Sequence, residues 1–206
     1  MDKVKLAIFY HTMTGRNYQM ALAAKEAAEA AGAEVRLRKM RELLPEDYLQ
    51  SNPAWVDYAE RSKDVPEADL EDLAWADAYI FGTPTRYGNI AAQMKLFIDS
   101  AGKLWQEGKL SNKPVSAFTS AMNPHGGQES TLLALYNVFY HWGAFIVPPG
   151  YTDPAVFPAG GNPYGVSSDA PHGDLEVKEP VLEAVRYMTR RVVQVTEWLL
   201  KGKEQS

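Results

Sequence analysis

The densest set of functional side chains lies between Gly82 and Asn89. There Thr83, Thr85, Arg86, Tyr87 and Asn89 stand among Gly82, Pro84 and Gly88, residues that punctuate backbone. They offer hydroxyl, guanidinium and amide donors beside one aromatic face. A short apolar run, Tyr79-Ile80-Phe81, precedes them, and a helical pattern opens near Ile90. In open α/β sheets, ligands bind in turns of this kind, outside the carboxyl ends of the strands. An ordinary strand-to-helix connection would use the same Gly and Pro.

His11 to Asn17 (HTMTGRN) is a second such stretch, between an apolar run and an Ala-rich helical one. Loop N–H groups and a helix N-terminus would face a bound anion there, and Thr12 and Thr14 add hydroxyl donors. The spacing is neither GxGxxG nor GxxxxGK[ST], which excludes the dinucleotide fingerprint and the P-loop. A plain turn with a hydroxyl cap is the alternative. A third irregular stretch, Ser120 to Glu129, follows another buried run. His141 is of a residue type suited to proton donation near neutral pH, or else it is a helix-end histidine bonded to a carbonyl. Trp105 either plugs the core or offers a stacking face, and Arg86 either serves the site or forms an ion pair. His11 and His172 look structural or solvated. No two histidines fall at metal-ligand spacing, so no metal is expected. Asp77 and Asp99 look like helix caps.

The elements that must position these residues alternate. Strand-like runs occur at 3–10, 34–38, 79–81, 115–119 and 145–147, the last three taken as buried. Helical patterns fill 18–31, 70–76, the stretch from Ile90, 129–142 and 180–201, and Gly102 to Trp105 leaves the helix before it. Residues 40–70 are a polar surface excursion with short helical pieces, 54–61 among them. Tyr151 to Asp174 is the least regular part, and its aromatics favour an ordered flap. Right-handed crossovers then predict a doubly wound five-stranded parallel α/β sheet in the order 2-1-3-4-5, flanked by helices. That order brings the loops after strands one, three and four together. With no internal repeat and no linker, residues 1–206 are expected to form one domain.

Composition narrows the possibilities. The absence of Cys excludes disulfides, thiolate nucleophiles and Cys-based metal sites. The net charge of −5, with both signs interspersed, gives no footprint for nucleic acid. The apolar zone 132–149 is interrupted by Asn137, His141 and Gly143, so no stable membrane insertion is expected. The opening residues do not look like a signal peptide, which makes the cytoplasm the expected location.

Ile80-Phe81-Gly82-Thr83-Pro84-Thr85-Arg86-Tyr87-Gly88-Asn89, with Gln93-Met94, resembles the WrbA family of flavodoxin-like NAD(P)H:quinone oxidoreductases. Gly102 to Trp105, Gly126-Gly127-Gln128-Glu129, His141, Ile146-Val147-Pro148 and Asn162-Pro163-Tyr164-Gly165 are similar to it as well, so the resemblance covers nearly the whole chain. It implies FMN as cofactor, NADH or NADPH as electron donor, a quinone substrate reduced by two electrons in a ping-pong cycle, and a homotetramer built as a dimer of dimers. By the same resemblance, Thr12, Met13, Thr14, Gly15, Arg16 and Asn17 cradle the FMN phosphate. Pro84, Thr85, Arg86, Tyr87, Gly88 and Asn89 line one side of the ring. Ser120, Ala121, Met122, Asn123, Pro124, His125 and Gly126 line its other edge. His141 approaches the flavin as the catalytic group, and Trp105 walls the substrate pocket, which in the family draws on more than one subunit. Thr14 stands where the family often has an aromatic, and the 122–125 loop is longer and less glycine-rich than the family's TGxGGGQE pattern. The rival functions are a one-electron carrier of the flavodoxin type and a non-enzymatic interaction module.

Overall fold

In the computed structural model, which describes residues 3–204 apart from the side chains of His172 and Glu204, the apolar runs become neighbouring strands of a parallel sheet. β1 (Lys5–Tyr10) lies between β2 (Glu34–Lys39) and β3 (Ala78–Pro84), and β4 (Pro114–Ala121) lies beyond β3. With β5 (Phe145–Ile146) at the far side, the order is β2-β1-β3-β4-β5, the flavodoxin-like arrangement expected. Central strands with both faces covered need apolar residues at every position, and β1 and β3 are buried almost throughout. Leu6, Ile8 and Tyr10 face α1 (Arg16–Ala30) and α8 (Glu179–Glu204). Ala7, Phe9, Tyr79 and Phe81 face α5 (Ala92–Ser100) and α7 (Gln128–Trp142).

Several expectations need correction. β3 does not stop at Phe81 but continues through Pro84. Gly82 is a strand residue whose missing side chain admits the Phe118 ring, since a Cβ there would lie 2.1 Å from it. The polar turn therefore begins at Thr85. Gly102 does not leave the helical region: a second short helix, α6 (Gly102–Gln106), follows α5. Phe145, expected in a buried strand, is exposed, and β5 covers only the first residues of β4.

The rest of that edge is taken by β6 (Val166–Asp169), paired with Phe118–Ala121. Thus 151–174 holds a sheet strand as well as loop. Gly165 permits the approach, because a Cβ there would meet the Ala117 carbonyl oxygen at 2.4 Å. Asp77 and Asp99 are not caps. Asp77 Oδ2 accepts the Lys5 N–H at 3.0 Å, and Asp99 pairs with Lys95 at 2.5 Å.

The 40–70 excursion contains α2 (Glu46–Gln50) and α3 (Pro53–Arg61), the latter opened by Asn52 as side-chain cap and Pro at the first turn. α4 (Leu70–Trp75) begins with a capping box between Asp69 and Asp72.

Candidate active site

α1 starts at Arg16 because Gly15 takes a left-handed conformation, φ 94°, and turns the chain abruptly out of β1. No side chain caps this helix, so its first N–H groups point outward without a side-chain acceptor. Thr12 Oγ1 instead accepts the Gly15 N–H at 3.1 Å and closes the loop on itself. Met13 and Thr14 are half-buried on the rim. This is an anion cradle of backbone N–H groups backed by a helix dipole.

Two of the expected phosphate ligands point elsewhere. The Arg16 guanidinium donates to the carbonyls of Asp174 (2.5 Å), Glu176 (2.8 Å) and Asp169 (2.5 Å) and to Ser168 Oγ (2.5 Å). It ties the segment before α8 to the loop. Asn17 Nδ2 donates to the His11 carbonyl at 2.9 Å, and Oδ1 is buried without a hydrogen-bond partner. At these two positions the side chains are therefore turned away from the loop's open face, and the backbone N–H groups are what is left toward it.

The loop after β3 is a tight turn in which Arg86 and Asn89 exchange backbone hydrogen bonds of 2.8 and 3.0 Å. Its tip, Tyr87 and Gly88, has φ of 52° and 74°. A tyrosine held there with its ring fully in solvent is strained, and such strain collects at ligand sites. Below the tip, Pro84 closes the strand. Thr85 Oγ1 meets Thr119 Oγ1 at 3.0 Å, Thr119 Oγ1 donates to the Thr83 carbonyl, and the Thr85 N–H donates to the Ser120 carbonyl. These buried bonds fix the ends of β3 and β4 relative to each other.

The loop after β4 packs on the same turn. A Cβ on Gly127 would lie 2.8 Å from Gly88 Cα, so only glycine allows this approach, and Ser130 Oγ donates to the Gly88 carbonyl across it. Gly126 packs equally close to Ala121. Ser120 is buried, Ala121 half-buried, and Met122, Asn123, Pro124 and His125 are exposed. The Asn123 carbonyl accepts the Gly126 N–H and Gln128 Nε2, while Gln128 Oε1 is buried with no hydrogen-bond partner.

A cleft of about 600 Å³ opens between the loops after β1 and β3 and the start of α5, lined by His11, Met13, Leu44, Arg86, Tyr87 and Gln93. His11, expected to be structural or solvated, is buried at its base, and burial chiefly lowers its pKa to about 4. Nearby Glu42 opposes that shift and Arg86 adds to it. Burial pushes the Glu42 carboxyl up. Bonds from Gln93 and from the Leu43 and Leu44 N–H groups, with His11 nearby, outweigh burial and hold it below its ordinary value. The excursion therefore brings Glu42, Leu44 and, beside Gly15, Arg61 to this edge. No sequence signal marked these three, because their neighbours follow no period. The expectation for His172 lies outside the described side chains. A second cleft, about 490 Å³ between Lys3, Lys5, Asp77 and Glu197, is at the amino ends of the strands, away from all three loops.

His141 and Trp105 join each other but not the loops. Trp105 Nε1 donates to the His141 carbonyl at 2.8 Å, and both line an exposed cleft against α5 and α6. Gln128 opens α7 at the loops and His141 lies in its last turn. At 1.5 Å per residue, the two ends are about 20 Å apart. Among the described residues no cluster of His, Asp and Glu could hold a metal ion, and no helix is long and apolar enough to cross a membrane.

The family model for NADPH-dependent FMN reductase matches residues 4–154 of this chain. A protein of Deinococcus radiodurans named NAD(P)H dehydrogenase (quinone) is 51% identical over 201 residues, covering 96% of this chain and 98% of the relative. One of the same name from Geotalea uraniireducens is 39% identical, covering 96% and 100%. Among solved structures, a WrbA-like flavodoxin from Agrobacterium tumefaciens superposes with a TM-score of 0.66 at 26% identity, covering 95% of this chain and 99% of that one. An archaeal flavodoxin, at 14% identity and a TM-score of 0.61, shares the fold.

Proposed function

This chain belongs to the NADPH-dependent FMN reductase family, and from that membership we propose that it is an FMN-dependent NAD(P)H dehydrogenase (quinone). One observation carries the reading. Three loops from neighbouring strands end at one sheet edge beside an uncapped helix N-terminus, the second and third of them locked to each other by the Gly88–Gly127 contact.

The residues present fit the cofactor. The α1 N-terminus with Thr12 and Thr14 suits the FMN phosphate, and the partnerless Gln128 Oε1 offers a buried acceptor beside the ring loops. Thr85, Arg86, Tyr87 and Gly88 would hold one side of the ring, with Pro84 and Asn89 shaping the turn. Ser120, Ala121 and Met122 through Gly126 would hold the other edge. When bound, FMN supplies the hydride chemistry, taking two electrons from NADH or NADPH and giving them to a quinone.

The protein contributes placement. Tyr87, presented outward on a strained turn, offers a flat wall against which a planar ring stacks, and rigid loops hold reacting groups in register. Arg86 and the exposed loop N–H groups would stabilise negative charge on a flavin ring held there. His11, kept neutral by burial, adds no positive charge at the base of the cleft. One open cleft must receive donor and quinone in turn, which makes the kinetics ping-pong. Trp105 and His141, remote from the loops of their own chain, would reach the ring only from another copy, as a homotetramer would allow. His141 then lends a proton to the quinone oxygen.

The test is a visible spectrum with FMN added, followed by anaerobic NADH or NADPH and then benzoquinone. Flavin bands that bleach with the nicotinamide and return with one equivalent of quinone are expected. Bound flavin that ignores both nicotinamides would favour a carrier, and failure to bind flavin would defeat the reading.

A further inference from the structure

We propose that Arg61, on the surface excursion, is the cationic partner of the FMN phosphate. The inference rests on the reading of the site as an FMN site. A phosphate ester carries about −1.5 to −2 charges at neutral pH. A helix N-terminus offers only about half a positive charge. The one cation within the loop is Arg16, and both terminal nitrogens of its guanidinium are turned to four acceptors on the β6–α8 segment, while its Nε is buried without a hydrogen-bond partner. The terminal guanidinium donors of Arg16 are therefore directed at that segment and not at the cradle.

α3 brings another cation. Arg61 Nη2 lies 3.0 Å from the point where a side chain on Gly15 would begin, and Tyr58 packs 3.7 Å from the same point. The guanidinium thus occupies space that Gly15 leaves open at the mouth of the loop. The backbone that carries it is fixed from behind. Tyr18, in the first turn of α1, donates its hydroxyl to the Arg61 carbonyl at 3.1 Å. The Tyr18 ring stacks on Tyr10 and meets Tyr58 edge-on, at 5.6 and 5.8 Å between centroids.

Among the described residues, the guanidinium has one side-chain partner, Asp57, at 2.8 Å one helical turn back. That pair is exposed, with side-chain exposures of 41% and 62%, so it binds weakly and leaves most guanidinium donors for a phosphate. Asp57 steadies Arg61 and at the same time competes with the anion. The excursion, which carries no strand and little core, then serves to deliver charge to the cradle.

The experiment compares dissociation constants for FMN and for riboflavin, which lacks the phosphate, by flavin fluorescence quenching on the full chain. Wild type should bind FMN far more tightly than riboflavin. Arg61→Met should weaken FMN about tenfold, the factor that one charge-assisted contact carries, and leave riboflavin unchanged. Arg61→Lys should recover part of the loss. Asp57→Asn should tighten FMN without affecting riboflavin. The FMN constant of Arg61→Met should also respond less steeply to salt than that of wild type.

Equal weakening of both flavins by Arg61→Met, or no change in FMN, would overturn the proposal while leaving the FMN reading intact. Wild type that binds neither flavin would overturn both.

Discussion

Tyr87 and His11 are the residues at which this site departs most from what stability alone would select. Tyr87 combines a left-handed φ of 52° with a fully exposed ring. Backbone strain of this kind costs about 1–3 kcal/mol, and glycine would relieve it at a smaller entropic cost. Tyr87→Gly is therefore expected to raise the urea midpoint by the equivalent of about 1 kcal/mol while weakening flavin binding and raising KM for the nicotinamide. A variant that loses stability instead would show that the ring packs on this chain and is not offered outward.

His11 gives a pH signature. Its pKa falls from 6.5 in the unfolded chain to about 4 in the fold, so between these values the unfolded state binds more protons. Its contribution is complete above pH 6.5 and is lost as pH falls toward 4. Glu42, also held below its ordinary value, adds a further loss in more acid solution. Urea unfolding from pH 7 to 4 should show the first decline in wild type, and His11→Asn should flatten it. Arg86, the cation facing His11, disfavours the charged imidazole and so acts in the same direction as burial.

At the scale of elements, β2 is attached to the rest by more than its ladder. Asp72, buried in the first turn of α4, accepts from Arg36 at 3.0 Å and Arg38 at 2.8 Å, and its Oδ2 also closes the capping box with the Asp69 N–H. Both arginines are more exposed than the carboxylate, so removing it strands the buried end of the network. Asp72→Ala is expected to cost about 2–4 kcal/mol in urea unfolding, with little change in FMN affinity, because α4 lies at the opposite end of β3 from the loops.

Elements with an unmistakable period or a continuous apolar run were legible in the sequence: β1, β3, β4, α7 and the stripe along α8. β6 was not, because Val166-Ser167-Ser168-Asp169 is short and polar and sits among Gly and Pro. Its pairing depends on Gly165 and on the open half-edge of β4, both tertiary facts. Arg61 was hidden for a similar reason. Nothing along the chain records that α3 folds back over Gly15. Arg16 misled in the opposite sense, since its place in the loop suggested an anion ligand while its side chain satisfies carbonyls distant in sequence.

At the scale of the whole molecule, the separation of Trp105 and His141 from the loops sets the hardest test. Within one chain they lie at the far end of α7, side by side and exposed, around a cleft of about 320 Å³. A helix about 20 Å long cannot bend to bring them to its own N-terminus. If both act on the flavin ring, each site is made from the loops of one copy and the α6–α7 end of another. Two defective variants should then repair each other. Gly15→Val, strained at φ 94° and pressed on Arg61, spoils the cradle but keeps Trp105 and His141. The Trp105→Ala/His141→Ala double variant has the reverse defect. Mixed in equal amounts, dissociated and reassembled, random pairing gives about a quarter of the sites sound loops facing a sound Trp105 and His141. Quinone reductase activity should therefore rise from near zero in either variant alone to about a quarter of wild type in the mixture. No recovery, with light scattering showing that mixed oligomers have formed, would place the whole reaction within one chain and remove Trp105 and His141 from it.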